Sequence, residues 1–495
     1  MTASNRLVAA LLGSALLPLT VSWARAQTPE QPAALPAETP APAPAPKPAA
    51  AVLLRPQIVA PLPGGLDQVL VVNDNNPELI TSPGVLVSTF AGEGRGVPQA
   101  HLNVPLNGRF DLFSHHVYAG QPDRLDSTLW LALVAQPRGS APVTLKLLAG
   151  STALSQSLDA IQPGAPFLPL PALLPLNGVH LYSGPGSRVS FEVLTKFRST
   201  LFPEQWTLAP GALSVLSVLP LPVRGLDPLL NGRNLQLRLQ SDGPTDLAVL
   251  AAFGSGDQPP EAEVWSQLLN GDLSAKEHKA SPRGASGPMI YSRVSGVQQG
   301  SVWSGLLTDP GRPYLSAARA PISWPIASLE RGTLGTAQVQ TAPLRALYPD
   351  TAWAAHGNYG VEYDLTLPLR NTGRQPVTLQ LALESPLKLD QPLGGLRFNT
   401  TPAKAVMFRG TVEVSGLDGE GQRPALRQAF HLVLRNGQQG PALGRITLAP
   451  GAQRNLRVRL VYPADATPPQ VLSLLPVPPA PDAPVKQSPQ PAAAP

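Results

Sequence analysis

Proline sets the first limit on what this chain can fold into. There are 60 prolines among 495 residues, more than twice the usual share of about 5%. A proline inside a helix removes a backbone donor and collides with the turn before it, at a cost of about 3 kcal/mol. Sheets accept proline at edges, strand starts and turns. Prolines recur throughout residues 52–475, so long helices are excluded over nearly all of that stretch. A mainly β architecture of short strands and many turns remains.

The prolines crowd most densely at the two ends. Residues 27–51 are almost all Ala, Pro, Gln, Thr and Glu and hold eight prolines, and residues 476–495 hold another eight. Neither stretch can bury enough apolar surface to fold. Both are expected to be disordered Pro/Ala-rich tails, the first of them an extended spacer of about 3.1 Å per residue. Ahead of the spacer, Arg6 precedes an apolar run from Leu7 to Leu19, and Ala24-Arg25-Ala26 supplies a small-residue cleavage pattern. That run is shorter than the ~20 residues a spanning helix needs. Residues 1–26 therefore read as a signal peptide. The expected product is exported, to the periplasm or cell surface, with no membrane span after signal removal.

Composition removes whole classes of chemistry. With no cysteine, disulfides, Cys-ligated zinc, iron–sulfur clusters and thiol nucleophiles are impossible. A net charge of +5, thinly spread, argues against nucleic acid as a partner. Nucleophile-elbow, Walker and H-E-x-x-H patterns do not occur in the sequence, and there is no S-x-x-K with its companion motifs. No metal and no cofactor is expected.

Alternation of apolar and polar residues marks strands at Val143–Leu148, Leu235–Leu239, Val377–Leu383 and Leu456–Val461. Asn107-Gly108, Asn177-Gly178, Asn231-Gly232, Asn436-Gly437 and Asp418-Gly419 read as hairpin turns. An internal echo runs through these signals. Arg138–Pro142 leads into Val143-Thr144-Leu145, and Asn371–Pro376 leads into Val377-Thr378-Leu379. Leu208-Ala209-Pro210-Gly211 follows the first, and Leu448-Ala449-Pro450-Gly451 the second. Two related sandwich-like modules, Ig-like or jelly-roll-like, are expected over residues 52–225 and 226–475. One short helix is expected over 260–270, opened by Pro259-Pro260, with Val264/Leu268 and Trp265/Leu269 at four-residue spacing. The polar run 272–288, with Lys276, His278, Lys279 and Arg283, reads as a mobile loop, because no acidic or aromatic cluster accompanies it.

The densest polar cluster is His101, Arg109, Asp111, His115 and His116. On a strand His115 and His116 point to opposite faces. His101 could join Asp111 and His115 across a hairpin at Asn107-Gly108, giving at most three ligands. Mutual hydrogen bonding within a hairpin explains the cluster more simply than a metal does. The run Asn73–Glu78 looks like a calcium loop but lacks the glycine and spacing of an EF-hand, and reads as an Asx-rich turn. Tryptophans could stack on sugars if exposed, although in a β core most are packing residues.

Three segments carry a resemblance. They are Arg55–Leu79, with Leu62-Pro63-Gly64 and Asn76-Pro77-Glu78; Ala100–His116, with Gly108-Arg109-Phe110-Asp111; and His356-Gly357-Asn358-Tyr359-Gly360-Val361. Together they resemble a family of exported cyanobacterial proteins known only as a domain of unknown function, over roughly residues 55–475. The resemblance implies export and supplies no activity. His101, Arg109, Asp111, His115, Asn358 and Tyr359 are taken as candidate binding residues. The reading is a non-enzymatic, envelope-associated binding or structural protein, partnered by an envelope polysaccharide or envelope protein. The alternative is an envelope polysaccharide hydrolase, metal-assisted or not, with two carboxylates roughly 5–10 Å apart in an aromatic-lined cleft.

Overall fold

A computed structural model of the chain describes residues 51–121, 127–156, 184–276, 279–282, 286–288, 290, 293–352, 357–391, 394–419 and 423–477. The expected signal segment, all but the last residue of the expected spacer, the tail beyond 477 and the turn expected at Asn177-Gly178 lie outside these residues. The fold is mainly β and comprises two sandwich-like bodies. The first is built around a ten-stranded sheet and the second around sheets of seven and five strands.

The echo seen in the sequence is an echo in three dimensions. In the first body Val143, Thr144 and Leu145 pair antiparallel with Leu208, Thr207 and Trp206. In the second, Val377, Thr378 and Leu379 pair with Leu448, Thr447 and Ile446 in the same register. The strands on either side repeat as well. Leu129–Pro137 pairs with Ser214–Leu221, as Glu362–Arg370 pairs with Gln453–Val461. The next strand, Leu230–Phe253 or Gln470–Pro476, returns beside the V-T-L strand and then pairs with Leu106–Ala119 or Ile322–Ile326. Each order then meets a parallel pair, made by Leu70–Asp74 in the first body, whose sheet runs on to Ser295–Gln299 and Leu344–Leu347, and by Ile58–Val59 at the end of the second.

The division expected at residues 225 and 226 does not follow the sheets. The longest strand of the first body, Leu230–Phe253, lies beyond it. Residues 52–66 belong to the second body, pairing with Gly395–Asn399, Ile322–Ile326 and Val302–Leu306. These pairings join segments far apart in sequence, so no local pattern could announce them.

Leu230–Phe253 bends between two layers at a register shift from Ser241 to Thr245. Its first half carries Leu235, Leu237 and Leu239 into the core, and its second half carries Leu247, Val249 and Ala251 into the same core. Each such leucine or valine, fully buried, contributes about 1.5–3 kcal/mol. Ala248, Leu250 and Ala252 on the opposite face pack under Trp265 and Leu269 of the helix Ala262–Leu269. This is the helix expected over 260–270. In the second body Tyr363, Leu365 and Leu367 of one sheet meet Leu379, Leu381 and Leu472 of the other.

Two expectations are corrected. Asn107-Gly108 and Asn231-Gly232 are not hairpin turns but lie within the strands Leu106–Ala119 and Leu230–Phe253. Asn231 stays in its strand because its side chain bonds like backbone. Its amide oxygen accepts from Gln156 N–H and its amide nitrogen donates to Gln156 O and Pro222 O. A second helix, Pro185–Leu194, adds to the one expected. Proline occupies its first turn, where no donor is lost. Its N-terminal N–H groups are capped from far away, Gly186 and Ser187 donating to the Asp465 carboxylate at 3.2 and 2.7 Å. Val189 and Val193 wedge this helix between Ala153 of the first body and Val461 of the second.

Candidate functional site

Most of the candidate residues converge on the seam between the two bodies. Along Leu106–Ala119 the even-numbered Phe110 and Leu112 enter the first core. The alternate residues Arg109, Asp111, Phe113 and His115 therefore share the opposite face, together with Gln236 and Arg238 of the neighbouring strand. Opposite them stand Tyr359, Gly360, Glu362 and Arg459 of the second body. Two of the three segments on which the resemblance rested, Ala100–His116 and the one ending at Gly360-Val361, thus meet across the seam.

Charge alternates along this contact. Arg109 grips Asp111 through Nε at 3.1 Å and Nη2 at 3.0 Å. Arg238 lies 3.7 Å from Asp111 and 2.9 Å from Glu362. Arg459 bonds Glu362 at 2.6 Å and Glu413 at 3.0 Å, and Arg427 reaches Glu413 at 2.9 Å. Burial pushes the Asp111 carboxyl above its ordinary pKa, while Arg238 and Arg109 pull it down. A buried ion pair adds little net stability over an apolar pair, but losing one partner leaves a charge stranded, at about 3–5 kcal/mol. Of these pairs, Arg238–Glu362 crosses the seam, whereas Asp111 keeps Arg109, and Glu362 and Glu413 keep Arg459, within their own bodies.

Neutral contacts fix the alignment. Gln236 donates to Gly360 O at 2.7 Å. The rings of Phe113 and Tyr359 stack with centroids 6.2 Å apart. The Tyr359 hydroxyl donates to Ala466 O at 3.0 Å, and burial pushes its pKa up to about 12. Asn358 is a buried staple behind it, accepting from Ala342 N–H at 2.9 Å and donating to Gln340 O at 2.7 Å. Gly360 has φ +80, and a Cβ there would meet the Phe113 ring at 3.0 Å. Only glycine suits that position.

At one end of the seam His115 lies 3.8 Å from Glu78, which also pairs with Arg293. Burial raises the Glu78 carboxyl, but the bond to His115 and the charge of Arg293 outweigh it and bring the pKa down to about 2. His116 points the other way, as expected. Its Nε2 lies 2.8 Å from Asp74 and its Nδ1 2.7 Å from Pro77 O. His101 stands apart from the seam. It contacts Ser88 Oγ at 2.7 Å, and burial with the Arg95 charge lowers its pKa to about 4. The hairpin that would bring His101 to Asp111 does not form, because Asn107-Gly108 is strand. Among the described residues no three His, Asp or Glu side chains group as metal ligands.

Away from the seam lies a cleft of about 930 Å³. It lies beside the strand Leu344–Leu347, at the end of the ten-stranded sheet, under residues 279–282. Pro282, Val339, Pro343 and Leu347 form its apolar wall, and Lys279 and Glu330 its charged rim. Sequence reasoning missed this cleft because its walls come from segments some 50 residues apart that carry no motif. Trp265, Trp303 and Trp324 are buried, and Trp206 is half-buried with its indole N–H on Leu216 O. No helix among the described residues is long and apolar enough to cross a membrane.

Comparison with curated proteins finds no match. Among solved structures, the N-terminal CBM22-1-CBM22-2 tandem domain of Paenibacillus barcinonensis Xyn10C aligns over 80% of this chain and 98% of that one, at 10% identity and a TM-score of 0.13. A likeness that slight carries no argument. A family model matches residues 57–476, a span that holds both bodies and every residue of the seam, and by that match the chain belongs to the DUF3370 family of proteins of unknown function.

Proposed function

We propose that the protein is an exported, non-enzymatic binding or structural component of the cell envelope. The observation that carries this reading is the use made of the charged side chains. Asp111, Arg238, Glu362, Arg459 and Glu413 spend their charge on one another in a buried seam. Chemistry needs such groups within reach of a substrate. The roomy cleft instead presents prolines and aliphatic side chains with two charges at its rim. That lining suits an occupant held by contact and a few polar bonds. Two bodies locked at a seam make a rigid carrier for such a surface.

Co-sedimentation of the protein with purified envelope polysaccharide, with the supernatant assayed for released sugar, tests the reading. Pelleting without release is the expected result. Release of sugar, abolished by substituting a carboxylate pair, would establish the hydrolase alternative and overturn the proposal.

A further inference from the structure

The polar run that follows the helix Ala262–Leu269 is not free where it begins. Val85 N–H donates to Asp272 O at 3.0 Å, and Ser274 N–H donates to Val85 O at 2.9 Å. Two residues further on, Lys276 turns inward. Its ammonium donates to the main-chain carbonyl of Asn76 and, at 3.4 Å, to that of Leu86. It sits 5.5 Å from the centre of the Tyr348 ring and within the field of Asp74 and Asp350.

Around this amine lie polar atoms that have no hydrogen-bond partner among the described residues. Both the oxygen and the nitrogen of the Asn76 side-chain amide are buried without a hydrogen-bond partner, as are Oδ1 of Asp74 and Oδ1 of Asp350. Asn76 and Asp74 are 0% exposed. The second oxygen of Asp74 is held by His116 at 2.8 Å and Ser114 at 3.0 Å. Buried polar groups are nearly always paired, and an amide idle at both ends is a costly thing to enclose. A buried amide, an amine at its own main chain and a carboxylate alongside are the parts needed for amide transfer.

We propose that Lys276 and Asn76 join in an intramolecular isopeptide bond. Nζ of Lys276 attacks Cγ of Asn76. The Nζ–Cγ bond forms and the Cγ–Nδ2 bond breaks. One amine proton passes by way of the Asp74 carboxyl to the departing nitrogen, which leaves as ammonia. Nothing is oxidised or reduced, and no co-reactant is needed. The attacking amine must be unprotonated. Burial lowers the pKa of Lys276 against the opposing pull of Asp74 and Asp350. The link would close a loop of 200 residues. In a chain without cysteine, it would serve as the covalent staple that a disulfide provides elsewhere.

Mass spectrometry of the folded full-length protein, after prolonged incubation at neutral pH and proteolysis, decides the matter. The expected product is a branched peptide containing both Asn76 and Lys276, lighter than its linear parts by ~17 Da, one ammonia. It should be missing from Lys276→Arg and Asn76→Ala. Linear peptides of full mass carrying unmodified Asn76 and Lys276 in the wild type would overturn the proposal, whether or not either variant folds. A loss of ~18 Da with the branch at Asp74 would equally overturn it, since water and not ammonia would have left.

Discussion

Gly360 offers a direct measure of how tightly the two bodies are seated. Replacing it with alanine has two consequences. The backbone sits at φ +80, where a Cβ costs about 1–2 kcal/mol. The new methyl also lands 3.0 Å from the Phe113 ring and 3.3 Å from Gln236 Nε2. Phe113 is 1% exposed and stacked on Tyr359, so it has nowhere to retreat. Crowding of that kind adds about 1–3 kcal/mol. Gly211 supplies the control, with φ +71 and nothing within 4 Å of its would-be Cβ. Gly211→Ala should therefore lose only the backbone cost of about 1–2 kcal/mol, and Gly360→Ala about 2–5 kcal/mol. Alanine restricts the unfolded chain equally in both, so that contribution cancels. Urea titration of the full chain gives the two losses. Hydrogen exchange across 106–119 and 230–241 shows where protection falls. Losses equal to within about 0.5 kcal/mol would refute the argument that the Tyr359-Gly360 corner is clamped against the first body.

Glu78 should make the fold sensitive to acid. Its carboxyl lies at about 2 when folded against an ordinary 4.5, so the ionised form is favoured in the folded state. Its contribution, on the order of 3 kcal/mol, is complete above about pH 4.5 and lost as pH falls towards 2. Urea titrations across that window should show the loss in the wild type and a flatter profile in Glu78→Gln; identical profiles would count against the assignment. Asp465→Ala removes the distant cap of the helix Pro185–Leu194 and should cost about 1 kcal/mol, with faster hydrogen exchange at Gly186 and Ser187. Unchanged exchange there would mean that solvent caps the helix equally well.

Much of the architecture was legible because proline and alternation act locally. Proline excluded long helices, and Val143–Leu147 and Val377–Leu383 showed their buried faces in the order of their residues. The paired V-T-L and L-A-P-G segments mark strands that pair in the same register in the two bodies. Non-local features were hidden. The cap of Pro185–Leu194 is contributed by Asp465, which no pattern near the helix could signal. The strand pairing of residues 52–66 depends on partners hundreds of residues away. Asn231-Gly232 signalled a turn, yet long-range bonds to Gln156 and Pro222 overrode that preference. The site was half legible. Arg109, Asp111, His115 and Tyr359 stood out as polar or aromatic residues in distinctive surroundings. That they face one another across a seam is a fact of topology and not of composition.

The parallel strand Ile58–Val59 also fixes how the molecule bears load. Ile58 and Leu474 both stand opposite Ile322, the first in a parallel and the second in an antiparallel pair. The chain thus enters and leaves this sheet at the same end, one strand apart. Tension applied through residues 51 and 477 would bypass most of the first body, which is looped out between Leu66 and Val302, with Leu344–Leu347 returning later to its edge. It would open the second body from one edge, rung by rung, as a zipper opens. A protein pulled by both ends would therefore yield in the second body, at Val52–Pro56 and then at the sheet where the chain enters and leaves, ahead of the ten-stranded sheet.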